Sequence, residues 1–237
     1  MAIGKEFFEL EGRIGYNFRD IKYLENALTH ASYANEQKSR GLNFSSNERL
    51  EFLGDSVLEL VISEYLYASF KSRSEGQLTK MRQTLVCEKT LSKIAAEISL
   101  GDYLNVGRGE EITDLRKRPK VLADALEALI AAVYLDSDRD YAAYSGVIIK
   151  LFKAELLQSA DMGRGDYKTL LQELVEKDGT AVLQYVVLDE NGPEHDKIFT
   201  VGAMVNNNLV GKGVSKSKKD AEMKAAEQAL RLFGVSL

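Results

Sequence analysis

The chain has 237 residues, 45% of them hydrophobic and 28% charged, with two prolines and one cysteine. That balance belongs to a folded protein of one large or two unequal domains, and it excludes a disordered, collagen-like or disulfide-stapled chain. The net charge of −5 counts against a nucleic-acid partner only if charge is evenly spread, and it is not, because Gly211 to Lys219 carries four lysines and no acid.

No stretch approaches about 18 consecutive apolar residues, and the charged start lacks the apolar core of a signal peptide, so a cytoplasmic protein with no membrane partner is expected. From Ile21 to Tyr33, Ser46 to Phe70, Glu75 to Leu100 and Val121 to Leu135, apolar residues recur at spacings of three and four. This predicts helices and no strand up to Gln158. Cys87, inside the third run, is expected to be a buried, inert thiol. His30 reads as a hydrogen-bonded structural residue rather than a ligand. Residues 159–165, with two glycines and no apolar period, predict a flexible linker.

Beyond the linker, Tyr167 to Lys177 predicts a helix with Leu170, Leu171, Leu174 and Val175 on one face. Val182 to Leu188, Lys197 to Val205 and Leu209 to Val214 predict antiparallel strands, with turns at Asp189–Pro193 and Asn206–Asn208. Ser217 to Phe233 predicts a closing helix that buries Ala221, Ala225, Ala229 and Phe233. The expected fold is an all-α domain over 1–158 followed by a small α+β (α-β-β-β-α) domain over 166–237.

Two acidic constellations carry chemistry. Glu48, Glu51 and Asp55 follow at helical spacings of three and four, so they share a face opposite Leu50, Leu53, Val57 and Val61. Glu48 has a second reading as part of a capping box with Ser45. Asp124 and Glu127 lie one turn apart on a helix otherwise apolar almost all round, which should be buried. Buried acids must be paired with bases, protonated or bound to a metal. Arg116, Lys117, Arg118 and Lys120 all precede that predicted helix, which favours a metal. Carboxylates without a histidine suit Mg²⁺ or Mn²⁺ and do not suit zinc.

In the tail, Ser217 is a natural N-cap with Asp220 at the capping-box position, so Lys218 and Lys219 fall in the first turn, where their charge opposes the helix dipole. Beside Gly211 and Gly213, read as flexible residues exposing backbone N–H groups, this arrangement suits a docked phosphate.

The run Asn47 to Leu58 resembles the signature of the ribonuclease III family, and Leu28 to Tyr33, Ser74 to Arg82, Gly101 to Glu110 and Leu122 to Ala131 agree in kind and order. The tail resembles a double-stranded RNA-binding domain. The resemblance implies a Mg²⁺-dependent endoribonuclease, with Mn²⁺ able to substitute, that cuts double-stranded RNA to 5′-phosphate and 3′-hydroxyl ends while processing ribosomal RNA precursors and other structured transcripts. It implies a metal site of Glu51, Asp55, Asp124 and Glu127, with Asp55 and Glu127 as catalytic residues and Glu48 and Glu75 in the cleft. It further implies a homodimer through the catalytic domain, with Gly54 allowing close approach at that interface. RNA contacts would come from Thr169, Gln172 and Glu173, from the loop around Gly192, Pro193, Glu194 and His195, and from Lys216, Lys218 and Lys219. Tyr167 and Ser215 depart from the family pattern, which has proline and glycine there in many members. A noncatalytic RNA-binding relative would not need all four metal carboxylates. A single-strand binder would need an aromatic motif that Tyr185 and Phe199 alone do not make.

Overall fold

The computed structural model describes residues 7–71, 73–111, 114–164, 167–176, 181–193 and 197–235, the backbone alone for 160–164. The chain divides into two compact units, Met1–Leu156 and Leu157–Leu237. Helices α1 (Phe8–Ile14), α2 (Ile21–Ala27), α3 (Ala31–Ser39), α4 (Glu48–Ser69), α5 (Glu75–Leu85), α6 (Glu88–Glu97), α7 (Arg108–Glu111), α8 (Pro119–Asp136) and α9 (Tyr141–Leu151) build the first unit. Helix α10 (Lys153–Arg164) crosses the division. The second unit contains α11 (Tyr167–Glu176), β1 (Leu183–Asn191), β2 (Ile198–Val205), β3 (Asn208–Ser215) and α12 (Lys218–Leu232). Among the described residues, no helix is long and apolar enough to cross a membrane.

The centre of the first unit is α8, whose Leu122, Ala123, Ala125, Leu126 and Ala128 to Val133 are all buried. It packs against α4 through Val57, Leu58, Val61 and Ile62, and its small residues Ala128, Ala131 and Ala132 meet Ala27 and Leu50. Asp136 closes α8 and is buried, yet its carboxylate is satisfied by the Tyr16 hydroxyl at 2.7 Å and the Arg19 and Asp20 N–H groups at 2.8 and 2.7 Å. Burial alone would raise its pKa, but these donors win and hold it below its ordinary value.

Two expected helices are each two. The run from Ile21 breaks at Leu28 to His30, because His30 is extended and caps α3, its Nδ1 accepting the Ser32 N–H at 3.1 Å. The run from Glu75 breaks at Val86 and Cys87, where Cys87 is the extended N-cap of α6. Cys87 is therefore exposed rather than buried, with its Sγ 3.3 Å from the Thr84 carbonyl oxygen. Apolar periodicity runs through both breaks because each helix of a pair faces the same core.

The linker expected at 159–165 is helical as far as Arg164, and Gly165 lies outside the described residues. Alanine, methionine and arginine are good helix formers, and one glycine within them costs only about 1 kcal/mol. Helix α10 also belongs to the first core, with Phe152 just before it and Leu156 within it both buried.

In the second unit the strands form an antiparallel sheet in the order β1-β2-β3. Asn206 and Asn207, at φ 48° and 66°, supply the paired left-handed residues of a two-residue hairpin between Val205 and Asn208. The helices cover one face, packing Leu171, Val175, Ala225, Ala226, Ala229 and Leu230 with Ala203 of β2. Gly211 and Gly213 are buried in β3, not flexible: a Cβ on them would lie 2.2 Å from the Ala225 oxygen and 2.0 Å from the Ala221 oxygen. Their lack of a side chain lets α12 close on the sheet. Phe233, expected inside, is the exposed C-cap of α12.

Candidate functional site

Helix α4 does not begin with the expected capping box. Its N-cap is Asn47, whose N–H donates to the Thr29 carbonyl oxygen at 2.8 Å and whose Nδ2 donates to that of Ala27 at 3.3 Å. These bonds pin the start of α4 to the turn between α2 and α3. Glu48 is exposed and accepts the Ser46 hydroxyl at 2.7 Å. A turn later, Glu51 faces α8.

Glu51, Asp124 and Glu127 each offer a carboxylate oxygen, all within 4.8 Å of one another and all half-buried. The two helices can come this close because Gly54 has no side chain: a Cβ there would sit 1.8 Å from the Glu127 carbonyl oxygen. The close approach expected of Gly54 at a dimer interface is thus made within the chain. Asp55 is exposed and outside the three-carboxylate group. Its charge nevertheless acts on Glu127, second only to burial in raising that residue's pKa, which with Asp124 and Glu51 reaches about 7. Burial, then Asp124, also raises Glu51.

Among the described residues, one cation reaches the cluster. Helix α8 starts at Pro119, earlier than expected, which puts Lys120 one turn before Asp124 with Nζ 3.1 Å from its carboxylate. The Lys120 side chain is 72% exposed and neutralises one acid of three. The surplus of negative charge, the oxygen-only donors and the raised Glu127 fit a hard divalent cation. The sequence names Lys120 among the nearby bases but sets it before the helix and so favours a metal over pairing, whereas Lys120 lies within α8 and pairs with Asp124.

Glu75 is not in this cluster. It is exposed at the start of α5, accepts the Thr79 hydroxyl at 2.9 Å, and lines a groove of about 660 Å³ with Leu60, Ser63, Glu64, Tyr67 and Arg82. In the second unit, Thr169, Gln172 and Glu173 are exposed on α11, and Lys216, Lys218 and Lys219 are exposed near the start of α12. Ser217 caps that helix, its hydroxyl oxygen accepting the Asp220 N–H at 3.1 Å and donating to the Asp220 carboxylate at 2.7 Å. Glu194 and His195 lie outside the described residues.

Residues 20–155 match the Ribonuclease-III-like family, and residues 167–232 match the double-stranded RNA binding motif. The Ribonuclease 3 of Pelotomaculum thermopropionicum is 49% identical over 93% of this chain and 90% of its own length. That of Clostridium tetani is 42% identical over 96% and 95%. Among solved structures, the nuclease domain of ribonuclease III from Campylobacter jejuni, described as having a region involved in dimer formation, aligns with a TM-score of 0.57 at 37% identity. It covers 63% of this chain and 98% of its own.

Proposed function

The chain belongs to the ribonuclease III family, and on that premise we propose that this endoribonuclease uses Mg²⁺, or Mn²⁺ in its place, to hydrolyse double-stranded RNA to 5′-phosphate and 3′-hydroxyl ends. We place it in the cytoplasm, processing ribosomal RNA precursors and other structured transcripts. The observation that carries the reading is the convergence of Glu51, Asp124 and Glu127 in a chain whose second unit matches a double-stranded RNA binding motif.

Glu51, Asp124 and Glu127 would hold the ion, with Asp55 at the margin adding negative potential. Once bound, the ion supplies Lewis-acid polarisation of the phosphate, a more acidic attacking water and charge relief at the leaving 3′ oxygen. The carboxylates stand on two helices packed backbone to backbone at Gly54, so the donors need little reorganisation. To hold a cation Glu127 would be ionised, and Lys120, on a long exposed stem, would leave Asp124 free to act as a ligand. His30 is committed to capping α3, so the carboxylates carry the chemistry without it.

The second unit would grip the duplex by shape, through the exposed α11 residues Thr169, Gln172 and Glu173 and the lysines at α12, with His195 as a further contact residue. Two catalytic units would pair. Support for pairing comes from Phe52 and Tyr67, 79% and 76% exposed on α4.

The test is to incubate the protein with a long RNA duplex, a matched single strand and a DNA duplex, in Mg²⁺ or chelator, and to map the ends. Cleavage confined to duplex RNA in Mg²⁺ is expected. Equal cleavage of the single strand, or activity in chelator, contradicts the reading.

A further inference from the structure

The lysines of the basic run are not equivalent. Lys219 is exposed and pairs with no carboxylate among the described residues. Lys218 instead holds its Nζ 2.8 Å from Glu190 Oε1 and 5.1 Å from the centroid of the Phe199 ring. The other oxygen of the same carboxylate lies 3.6 Å from Lys197 Nζ.

Backbone register brings these groups together. Glu190 stands directly opposite Phe199 on β2, and Phe199 directly opposite Ser215 on β3. The chain then turns through the Ser217 cap into α12, so the row across three strands ends beside the first residue of the helix. The carboxylate is thereby held where a phosphate approaching the start of α12 would have to find its cation. The hydrogen bond from Lys218 holds Glu190 below the ordinary carboxylate range, against a smaller opposing effect of burial, so it is ionised throughout the neutral range.

Resting on the proposal that Lys218 meets RNA phosphate, we infer that Glu190 is an internal competitor for that phosphate. Its carboxylate occupies Lys218 in the free protein, yields it when a duplex docks, and so sets the strength and salt dependence of RNA binding. A carboxylate and a phosphate oxygen are alternative charge-assisted acceptors for one ammonium, so the exchange itself is close to balanced. The displaced carboxylate stays on the sheet beside the bound phosphate, however, and repels it. Side-chain exposures of 55% for Lys218 and 36% for Glu190 leave the pair open to exchange. Phe199 keeps the ammonium over its ring when the carboxylate lets go, so no refolding is needed.

The experiment is a salt titration of binding to an RNA duplex of about 16 base pairs in Ca²⁺. It uses full-length wild type, Glu190→Gln, Lys218→Met and the double variant, each with a thermal melt. Glu190→Gln should bind several-fold tighter at low salt, with a slope of log affinity against log salt steeper by about one unit. Lys218→Met should cost more in the Glu190→Gln background than in the wild type. Weaker binding by Glu190→Gln with a normal melt would overturn the inference and make Glu190 a positioning residue. An equal gain with and without Lys218 would overturn it too, leaving only a general charge effect. If Lys218→Met binds as wild type in both backgrounds, the phosphate contact fails as well, and the inference with it.

Discussion

A Cβ on Gly54 would lie 1.8 Å from the carbonyl oxygen of Glu127, so the spacing of α4 from α8, and with it the distance between Glu51 and Glu127, depends on a missing side chain. Gly54→Ala should gain up to about 1 kcal/mol of helix propensity. The clash is with backbone, which cannot rotate away, and overpacking of this kind costs about 1–3 kcal/mol or more. The clash should win. Chemical denaturation of the variant should show a net loss of stability, and Mn²⁺ affinity should fall with it. A variant more stable than wild type would mean that the two helices are further apart.

Protonation of the cluster should be visible in stability. Burial, then Asp55, Asp124 and Glu51, pushes Glu127 from its ordinary 4.5 up to about 7. An acid raised in this way binds more protons folded than unfolded between those two values, so the metal-free protein gains stability as pH falls from 7 toward 4.5. The raised Glu51 has the same sign. Melts in chelator across this range should show the trend, and Glu127→Gln should remove most of it and melt higher than wild type above pH 7. A wild-type melting temperature that rises with pH over this window would contradict the electrostatic picture.

Truncations locate the end of the first core. A chain ending after Leu151 loses Phe152, fully buried, and Leu156, 2% exposed. Removing such side chains costs about 2–5 kcal/mol each, against a total stability of about 5–15 kcal/mol, so this fragment should melt at a much lower temperature or not fold. A fragment ending after Arg164 keeps α10 and should fold, dimerise and cleave duplex RNA at low salt, losing activity as salt approaches physiological levels. Sedimentation as a monomer at micromolar concentration would tell against the paired catalytic units.

Lys219 is exposed in the first turn of α12. Lys219→Ala should flatten the salt slope of duplex binding by about one unit, equally for unrelated duplex sequences, because phosphate contacts carry no base information. The helix should be unharmed or slightly firmer, since a cation leaves the positive end of the dipole. An unchanged slope with a normal melt would place the grip elsewhere.

The parts of the fold readable from sequence are those set by local spacing. The shared face of Glu48, Glu51 and Asp55, the burial of α8 around Asp124 and Glu127, and the Ser217 cap all follow from helical periodicity or capping chemistry. What escaped is tertiary. Nothing in the spacing distinguishes Glu51, which turns toward α8, from Asp55, which faces water. Gly211 and Gly213 look like flexible residues until α12 lies across them. Glu190 and Lys218 are 28 positions apart and meet only through the register of three strands.

The central claim is that Glu51, Asp124 and Glu127 hold the ion required for cleavage. Its most direct test is single-turnover cleavage of an RNA duplex by Glu127→Gln in limiting Mg²⁺, with duplex binding by the same preparation measured in Ca²⁺, whose larger, looser shell should allow docking without fast hydrolysis. The account predicts no cleavage above background with binding unchanged, because a ligand's charge is lost with little change in volume. Cleavage at the wild-type rate would contradict it.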